Sequence, residues 1–214
     1  MCGRYYNFIS HEELSYVSNY ETINDYINYN IIPTSYVPVL INNNIIKARW
    51  GFYPSWLKEM KDSKPLINAR LETILEKKTF KIPFQKRRCV FLMSGWYEWS
   101  NKNNEKIPYA FYYKNYKPLS IAGIYSQRSD GSIEACMITK NANKDIINIH
   151  PRMPVVLEDE VLSHWQDDNI SHEILLEKLN KDVDNIRFHR VDVAVNNPKN
   201  NNDNLYKEYT EVPF

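Results

Sequence analysis

Between residues 89 and 139 the chain runs through five short apolar or aromatic stretches, CVFLM (89–93), WYEW (96–99), YAFYYK (109–114), LSIAGIY (119–125) and IEACMIT (133–139). Gly, Pro, Asn and Ser-Asp-Gly turns part them. None reaches the ten or so residues that a buried helix needs, and β-branched and aromatic residues fill them, so they predict strands. VPVLINNNIIKARW (37–50) predicts two more strands about an Asn-rich turn, and IRFHRVDVAV (186–195) a late one. Four helices fit around this core. Ser10-His-Glu-Glu13 has the form of a capping box and starts a helix from Glu12 to about Tyr20. LETILEKKTF (71–80) spaces Leu71, Ile74 and Leu75 on one face, and Asp159 to Gln166 and His172 to Leu179 complete the set. With no repeat or linker, residues 1–214 read as one α+β domain with a strand-rich core and a polar tail from about 196.

Aromatic residues make up 14 % of the chain and glycines number only 5, which suits strands packed by rings. The net charge of +1 supplies no global pull toward nucleic acid, so any such binding must come from a local patch. Cys2, Cys89 and Cys136 are widely spaced and contain no C-x-x-C, against both a disulfide framework and a zinc knuckle. Neither a signal peptide nor an apolar run of about 18 residues is present, so a reducing cytoplasmic or nuclear compartment and no membrane are expected. The Asn-rich runs read as composition bias.

Four polar stretches interrupt the apolar runs: Cys2-Gly3-Arg4, Asn68-Ala69-Arg70, Gly95-Trp96-Tyr97-Glu98-Trp99 and His150-Pro151-Arg152-Met153-Pro154. Removal of Met1 would leave Cys2 with a thiol and a free α-amine on adjacent carbons. Strand alternation puts Trp96 and Glu98 on one face, Tyr97 and Trp99 on the other. A Glu98 buried beside rings would have a raised pKa suited to proton exchange near neutrality, whereas one on an edge strand would simply be solvated. His150 reads as a structural histidine or as an acid/base group. Asn68 reads as a helix cap or as a group that orients a nucleophile or a sugar hydroxyl. Arg4, Arg70 and Arg152 suit ion pairs or phosphate. KKTFKIPFQKRR (77–88) suits a solvated face at least as well as a nucleic-acid track. Cys89 and Cys136 sit in apolar runs and read as core. No Gly-rich phosphate loop, nucleophile elbow or metal-spaced histidine pair occurs, so no cofactor and no metal are expected.

Taken in order, MCGR, WG with P-x-W (50–56), LINAR-x-E (66–72), GWYEW (95–99), IT-x-x-A (138–142), HPRMPV (150–155) and AVNNPKN (194–200) resemble the SRAP family of abasic-site processing proteins across nearly the whole chain. The resemblance implies barrel-like mixed sheets with peripheral helices. It implies binding of single-stranded DNA containing abasic sites, or of single-strand/double-strand junctions, by a monomer in the nucleoid or nucleus. It further implies a covalent thiazolidine between Cys2 and the open abasic aldehyde, with lyase and thiol autopeptidase activities as companions. On matching positions, Glu98 would move protons at the Cys2 amine and His150 would act as acid at the sugar ring oxygen. Asn68 would hold Cys2 and the sugar, and Arg4, Arg70 and Arg152 would grip phosphates. Pro33 and Trp56 would stack on or wedge between bases, and Thr139 would lie near the site. Two other readings stay open. One is an N-terminal-nucleophile amidohydrolase of the glutaminase type; the other is a non-catalytic single-strand binder.

Overall fold

The computed structural model describes residues 2–54, 64–102 and 105–210. Its strands are β1 (Tyr5–Asn7), β2 (Asn28–Ile31), β3 (Tyr36–Ile41), β4 (Asn44–Trp50), β5 (Asn68–Arg70), β6 (Arg88–Met93), β7 (Gly95–Lys102), β8 (Glu105–Tyr113), β9 (Leu119–Gln127), β10 (Ile133–Asn141), β11 (Arg152–Pro154) and β12 (Ile186–Arg190). Its helices are α1 (Lys78–Lys86), α2 (Asp159–Gln166) and α3 (His172–Asn180). Five strands close on themselves. β3 and β4 form a hairpin, β4 runs parallel to β10, and β10, β9, β6 and β3 follow antiparallel in turn. The hairpin turns on Asn42 and Asn43, both at positive φ (48° and 61°), the geometry of a type I′ turn. The second half of β10 outruns this barrel and takes β5 as a parallel neighbour and β11 as an antiparallel one. A second, antiparallel sheet has the order β12-β8-β7-β1-β2.

Alternate residues of the barrel strands do two jobs. Val37, Val39, Trp50, Phe91, Ala135 and Met137 join Tyr5, Trp96 and Phe111 of the second sheet in one buried cluster. Leu40, Val90, Leu92, Ile124, Cys136 and Ile138 lie on the opposite side, under Phe84, Trp165 and Leu175 of the helices. Both faces are covered, which is why these strands read as almost continuous apolar runs rather than as alternating ones. The outer face of the second sheet carries Tyr6, Tyr97 and Ala110 and is roofed by Val195 and Leu205. Residues 197–210 are thus partly packed, with Tyr206 stacked on Tyr6 at 5.4 Å.

The α+β class and the barrel match expectation, and α2 and α3 fall where the sequence put them. Two expected helices do not form as such. The half of the capping box that binds the Ser10 N–H to Glu13 Oε2 is present at 2.9 Å, yet only a 3-10 turn, Glu12–Leu14, follows. Ser15, Tyr16, Val17, Ser18 and Asn19 come next, all poorer helix formers than Ala or Leu, and the chain instead makes a second 3-10 stretch at Tyr20–Tyr26. Over 71–80, Leu71 and Ile74 bury in a 3-10 turn, Leu71–Thr73, since a three-residue spacing serves that geometry equally. The α-helix begins later, at Lys78, so the basic-aromatic stretch is mostly α1, with Phe84 buried and its lysines outward. The late strand stops at Arg190, and Val193–Asn196 is a 3-10 turn. No helix among the described residues is long and apolar enough to cross a membrane.

Candidate active site

Strand register assembles the site. β1 pairs with β7 through Tyr5 and Trp96, and the ladder continues where the Tyr97 N–H donates to the Arg4 carbonyl at 2.9 Å. This draws Cys2 and Gly3 alongside Glu98. On the other side β5 lies against β10 with Asn68 opposite Met137, and Cys2 Sγ contacts Met137 Sδ at 3.9 Å. Asn68 Nδ2 donates to the Cys2 carbonyl at 2.8 Å, so β5 holds the N-terminal segment directly. Asn68 Oδ1 is buried with no hydrogen-bond partner among the described residues, an acceptor in reserve beside Cys2. A segment buried in this way cannot leave such an oxygen unmatched without cost.

Glu98 is 3 % exposed and its Oε1 stands 3.8 Å from His150 Nδ1. Burial raises the Glu98 pKa to about 7, although the positive amino terminus pulls it the other way. Burial also lowers the His150 pKa, which keeps the ring neutral at neutral pH. His150 Nδ1 lies 3.1 Å from the Arg152 N–H and 3.0 Å from the Arg152 carbonyl, so either tautomer keeps a backbone anchor. The Cys2 thiol is pushed far above its ordinary range, first by burial and then by the Glu98 charge. A cleft of about 620 Å³ opens here, lined by Gly3, Arg4, Glu98, Trp99, His150 and Asn196 among others.

Seven of the residues singled out in the sequence therefore converge: Cys2, Arg4, Asn68, Glu98, Thr139, His150 and Arg152. Arg4 lies over the Trp99 ring at 5.7 Å. Arg152 is tightly held, with Nη1 and Nη2 on Glu72 at 2.6 and 2.9 Å, and with further bonds to Asn141 Oδ1 and the Thr139 carbonyl at 2.7 Å each. Thr139 is buried on β10, with its Oγ1 3.3 Å from Arg152 Nη2. Arg70 ends β5 with its side chain exposed. Pro33 sits in the turn between β2 and β3. There Thr34 holds a φ of 73°, rare for a β-branched residue, and its N–H donates to the Trp50 carbonyl at 2.7 Å. Trp56 lies outside the described residues. Glu72, which orders Arg152 and also accepts from the Asn141 N–H at 3.1 Å, was given no role by the sequence, although it ends the LINAR-x-E stretch. No group of three His, Cys, Asp or Glu side chains among the described residues is placed to hold a metal.

Comparison with known proteins places the chain in a family. The family model described as SOS response associated peptidase (SRAP) matches residues 1–198. Abasic site processing protein YoqW of Bacillus subtilis is 31 % identical over 224 residues, covering 98 % of this chain and all of YoqW. Mouse abasic site processing protein HMCES is 33 % identical over 222 residues, covering 81 % of this chain and 62 % of HMCES. A crystal structure of a protein from Bacteroides thetaiotaomicron has the same fold, with a TM-score of 0.84 at 21 % identity over 98 % of this chain and all of that one. With the family match spanning residues 1–198 and a relative 31 % identical over 98 % of its length, the chain belongs to the SRAP family.

Proposed function

We propose that this protein binds single-stranded DNA at an abasic site and joins it covalently through Cys2. The observation that carries the reading is buried Glu98 with half-buried His150 3.8 Å away, beside the N-terminal segment that bears Cys2. Once Met1 is removed, Cys2 presents an α-amine and a thiol to the same electrophile. An abasic deoxyribose is mostly a closed hemiacetal, and its open form carries an aldehyde at C1′. The amine adds to that carbon to give a carbinolamine, which expels water to leave an imine. The thiol then adds across the C=N bond: sulfur bonds to C1′, its proton passes to nitrogen, and a five-membered thiazolidine results with one water lost overall. The second addition is intramolecular and gains the corresponding effective molarity.

Glu98 suits the proton traffic because a carboxyl with a pKa of about 7 is present in both forms at neutral pH. As the carboxylate it takes a proton from the Cys2 ammonium; as the acid it gives one to the departing hydroxyl. A neutral His150 becomes a stronger acid toward the sugar ring oxygen once it is protonated, and Glu98 Oε1 stands 3.8 Å from its Nδ1. Asn68 fixes the Cys2 carbonyl and offers its Oδ1 to the amine or the sugar. Arg4, Arg70 and Arg152 contact the flanking phosphates and Pro33 and Trp56 the flanking bases, with Arg152 sharing its guanidinium between Glu72 and DNA. Local cations rather than net charge hold the strand, so binding weakens with salt. The same groups support strand cleavage by β-elimination and release of an N-terminal segment.

The test is a denaturing gel of the purified protein, with loss of Met1 checked by intact mass, after incubation with abasic single-stranded DNA. The native protein gives a heat-stable shifted band, and Cys2→Ala gives none while still binding the oligonucleotide under native conditions. A band that survives in Cys2→Ala overturns the mechanism. Retention of DNA without any covalent band in the native, processed protein identifies a binding module instead.

A further inference from the structure

The AVNNPKN stretch (194–200) lies far from the chemistry in sequence, yet its backbone surrounds Arg4. Arg4 Nη1 donates to the Val195 carbonyl at 2.8 Å and to Asn30 Oδ1 at 2.7 Å. Asn30 is 3 % exposed. Its Nδ2 faces three carbonyls of the same turn, Val195, Asn197 and Asn200, at 3.3, 3.0 and 2.9 Å. Trp99, which lies under the Arg4 guanidinium, donates Nε1–H to Asn196 Oδ1 at 2.7 Å. The turn is itself braced, since Asp192 caps the Ala194 N–H at 2.7 Å and Asn200 Nδ2 reaches the Ala194 carbonyl at 2.8 Å. The two bonds that Arg4 itself makes are both from Nη1, and Nη2 has no protein partner among the described residues, while the side chain lines the cleft that holds Glu98 and His150.

We propose that Asn30 is a positioning residue for Arg4, and that the 195–200 turn is the template through which it turns Nη2 toward a DNA phosphate in the cleft. The inference rests on the reading of Arg4 as a phosphate contact. An asparagine is what the place requires: its oxygen accepts from the guanidinium and its amide hydrogens serve the carbonyls. Aspartate would lack the donors, and an aliphatic residue would take one acceptor from the guanidinium and the amide donor from the Val195, Asn197 and Asn200 carbonyls. Because an arginine has four rotatable bonds, fixing one edge of the fork removes much of the entropy that a phosphate contact would otherwise cost.

The experiment is a double-mutant cycle read by anisotropy of an undamaged single-stranded oligonucleotide across a salt series. Arg4→Ala weakens binding roughly tenfold, and the slope of log affinity against log salt becomes shallower by about 0.7, the loss of one contact to a single strand. Asn30→Ala produces a comparable loss and the same change in slope, and the double variant binds no more weakly than Arg4→Ala alone. A purely structural Asn30 gives losses that add, or a slope that does not move, and either overturns the inference while leaving Arg4 a phosphate contact. An Arg4→Ala variant with native affinity and slope refutes the phosphate contact itself, and the inference with it. Where Asn30→Ala does not fold, Asn30→Asp serves: its carboxylate still pairs with Arg4 and takes its charge away from DNA. It flattens the slope in the protein that keeps Arg4, and a native slope in that variant overturns the proposal.

Discussion

Glu98→Gln should make the protein more stable at neutral pH and leave its stability at acid pH unchanged. In the folded chain Glu98 is buried and its pKa stands at about 7, against an ordinary value of 4.5. The folded state therefore holds the proton more tightly than the unfolded state does. Below pH 4.5 both states are protonated and the residue is neutral in its effect. As the pH rises from 4.5 to about 7, the unfolded chain ionises first and stability falls by about 1.4 kcal/mol per pH unit. Above 7 both are ionised and the loss levels off at about 3 kcal/mol, an upper figure because it takes the whole rise as desolvation. Glutamine has the same shape and no charge, so it escapes this penalty. Urea unfolding of the native and variant proteins between pH 4.5 and 8 measures the difference, and repeating both in a His150→Gln background cancels the neighbouring ring. The expected difference is close to zero at pH 4.5 and grows to between 1 and 3 kcal/mol at pH 8, roughly. A difference that is flat with pH, or that favours the native protein more as pH rises, refutes the assignment of a raised pKa to Glu98. In the proposed reaction the same variant cross-links abasic DNA more slowly while binding undamaged DNA normally, so stability and chemistry move in opposite directions.

Two further substitutions probe the scaffold. Gly95 leaves no room for a side chain, since a Cβ there would lie 2.2 Å from Tyr6 Oη and 2.3 Å from the Phe111 carbonyl; Gly95→Ala should cost about 1–3 kcal/mol or more in urea unfolding, and a native midpoint would show that β7 and β1 yield easily. At the tip of the β3–β4 hairpin, Asn43 has a φ of 61°, so Asn43→Gly should hold or raise the melting temperature by a degree or two while Asn43→Ala lowers it, the left-handed conformation costing alanine about 1 kcal/mol; equal melting temperatures for the two variants would refute the type I′ assignment.

How much of this was legible depends on the range of the interaction that fixes each piece. Strand identity over 89–139 was readable because a four- to seven-residue run carries its own signal. The alternation in GWYEW also held: Trp96 joins the Cys2 cluster while Tyr97 and Trp99 sit in or against the other one. β1, β2, β5 and β11 are three or four residues long and have no such signal. They exist because neighbouring strands supply their hydrogen bonds, so only the fold reveals them. The Asn-rich runs read as composition bias, yet Asn42 and Asn43 supply the two positive φ angles of a turn, and Asn30 and Asn200 tie the chain terminus to β2. Glu72 and Arg152, 80 residues apart, meet only because β5 and β11 flank the same stretch of β10. A pairing of that kind leaves no local period to read.

The burial that raises Glu98 also decides the order of events at Cys2 in the proposed chemistry. A thiol held far above its ordinary pKa is almost wholly protonated at neutral pH, so it cannot attack first as a thiolate. An α-amine needs only to lose one proton to a carboxylate, and Glu98 is such a carboxylate part of the time. The amine therefore leads and forms the imine. The thiol then needs no prior ionisation, because the imine nitrogen accepts its proton as sulfur bonds to carbon. Cys2 and Glu98 share one buried seam, with the β1–β7 ladder on one side and Met137 on β10 on the other. The seam suppresses a free thiolate, which would be open to oxidation, and it holds a carboxyl at the pKa the amine step requires. Opening the seam to water would lower both pKa values together, giving a more reactive thiol and a poorer proton carrier.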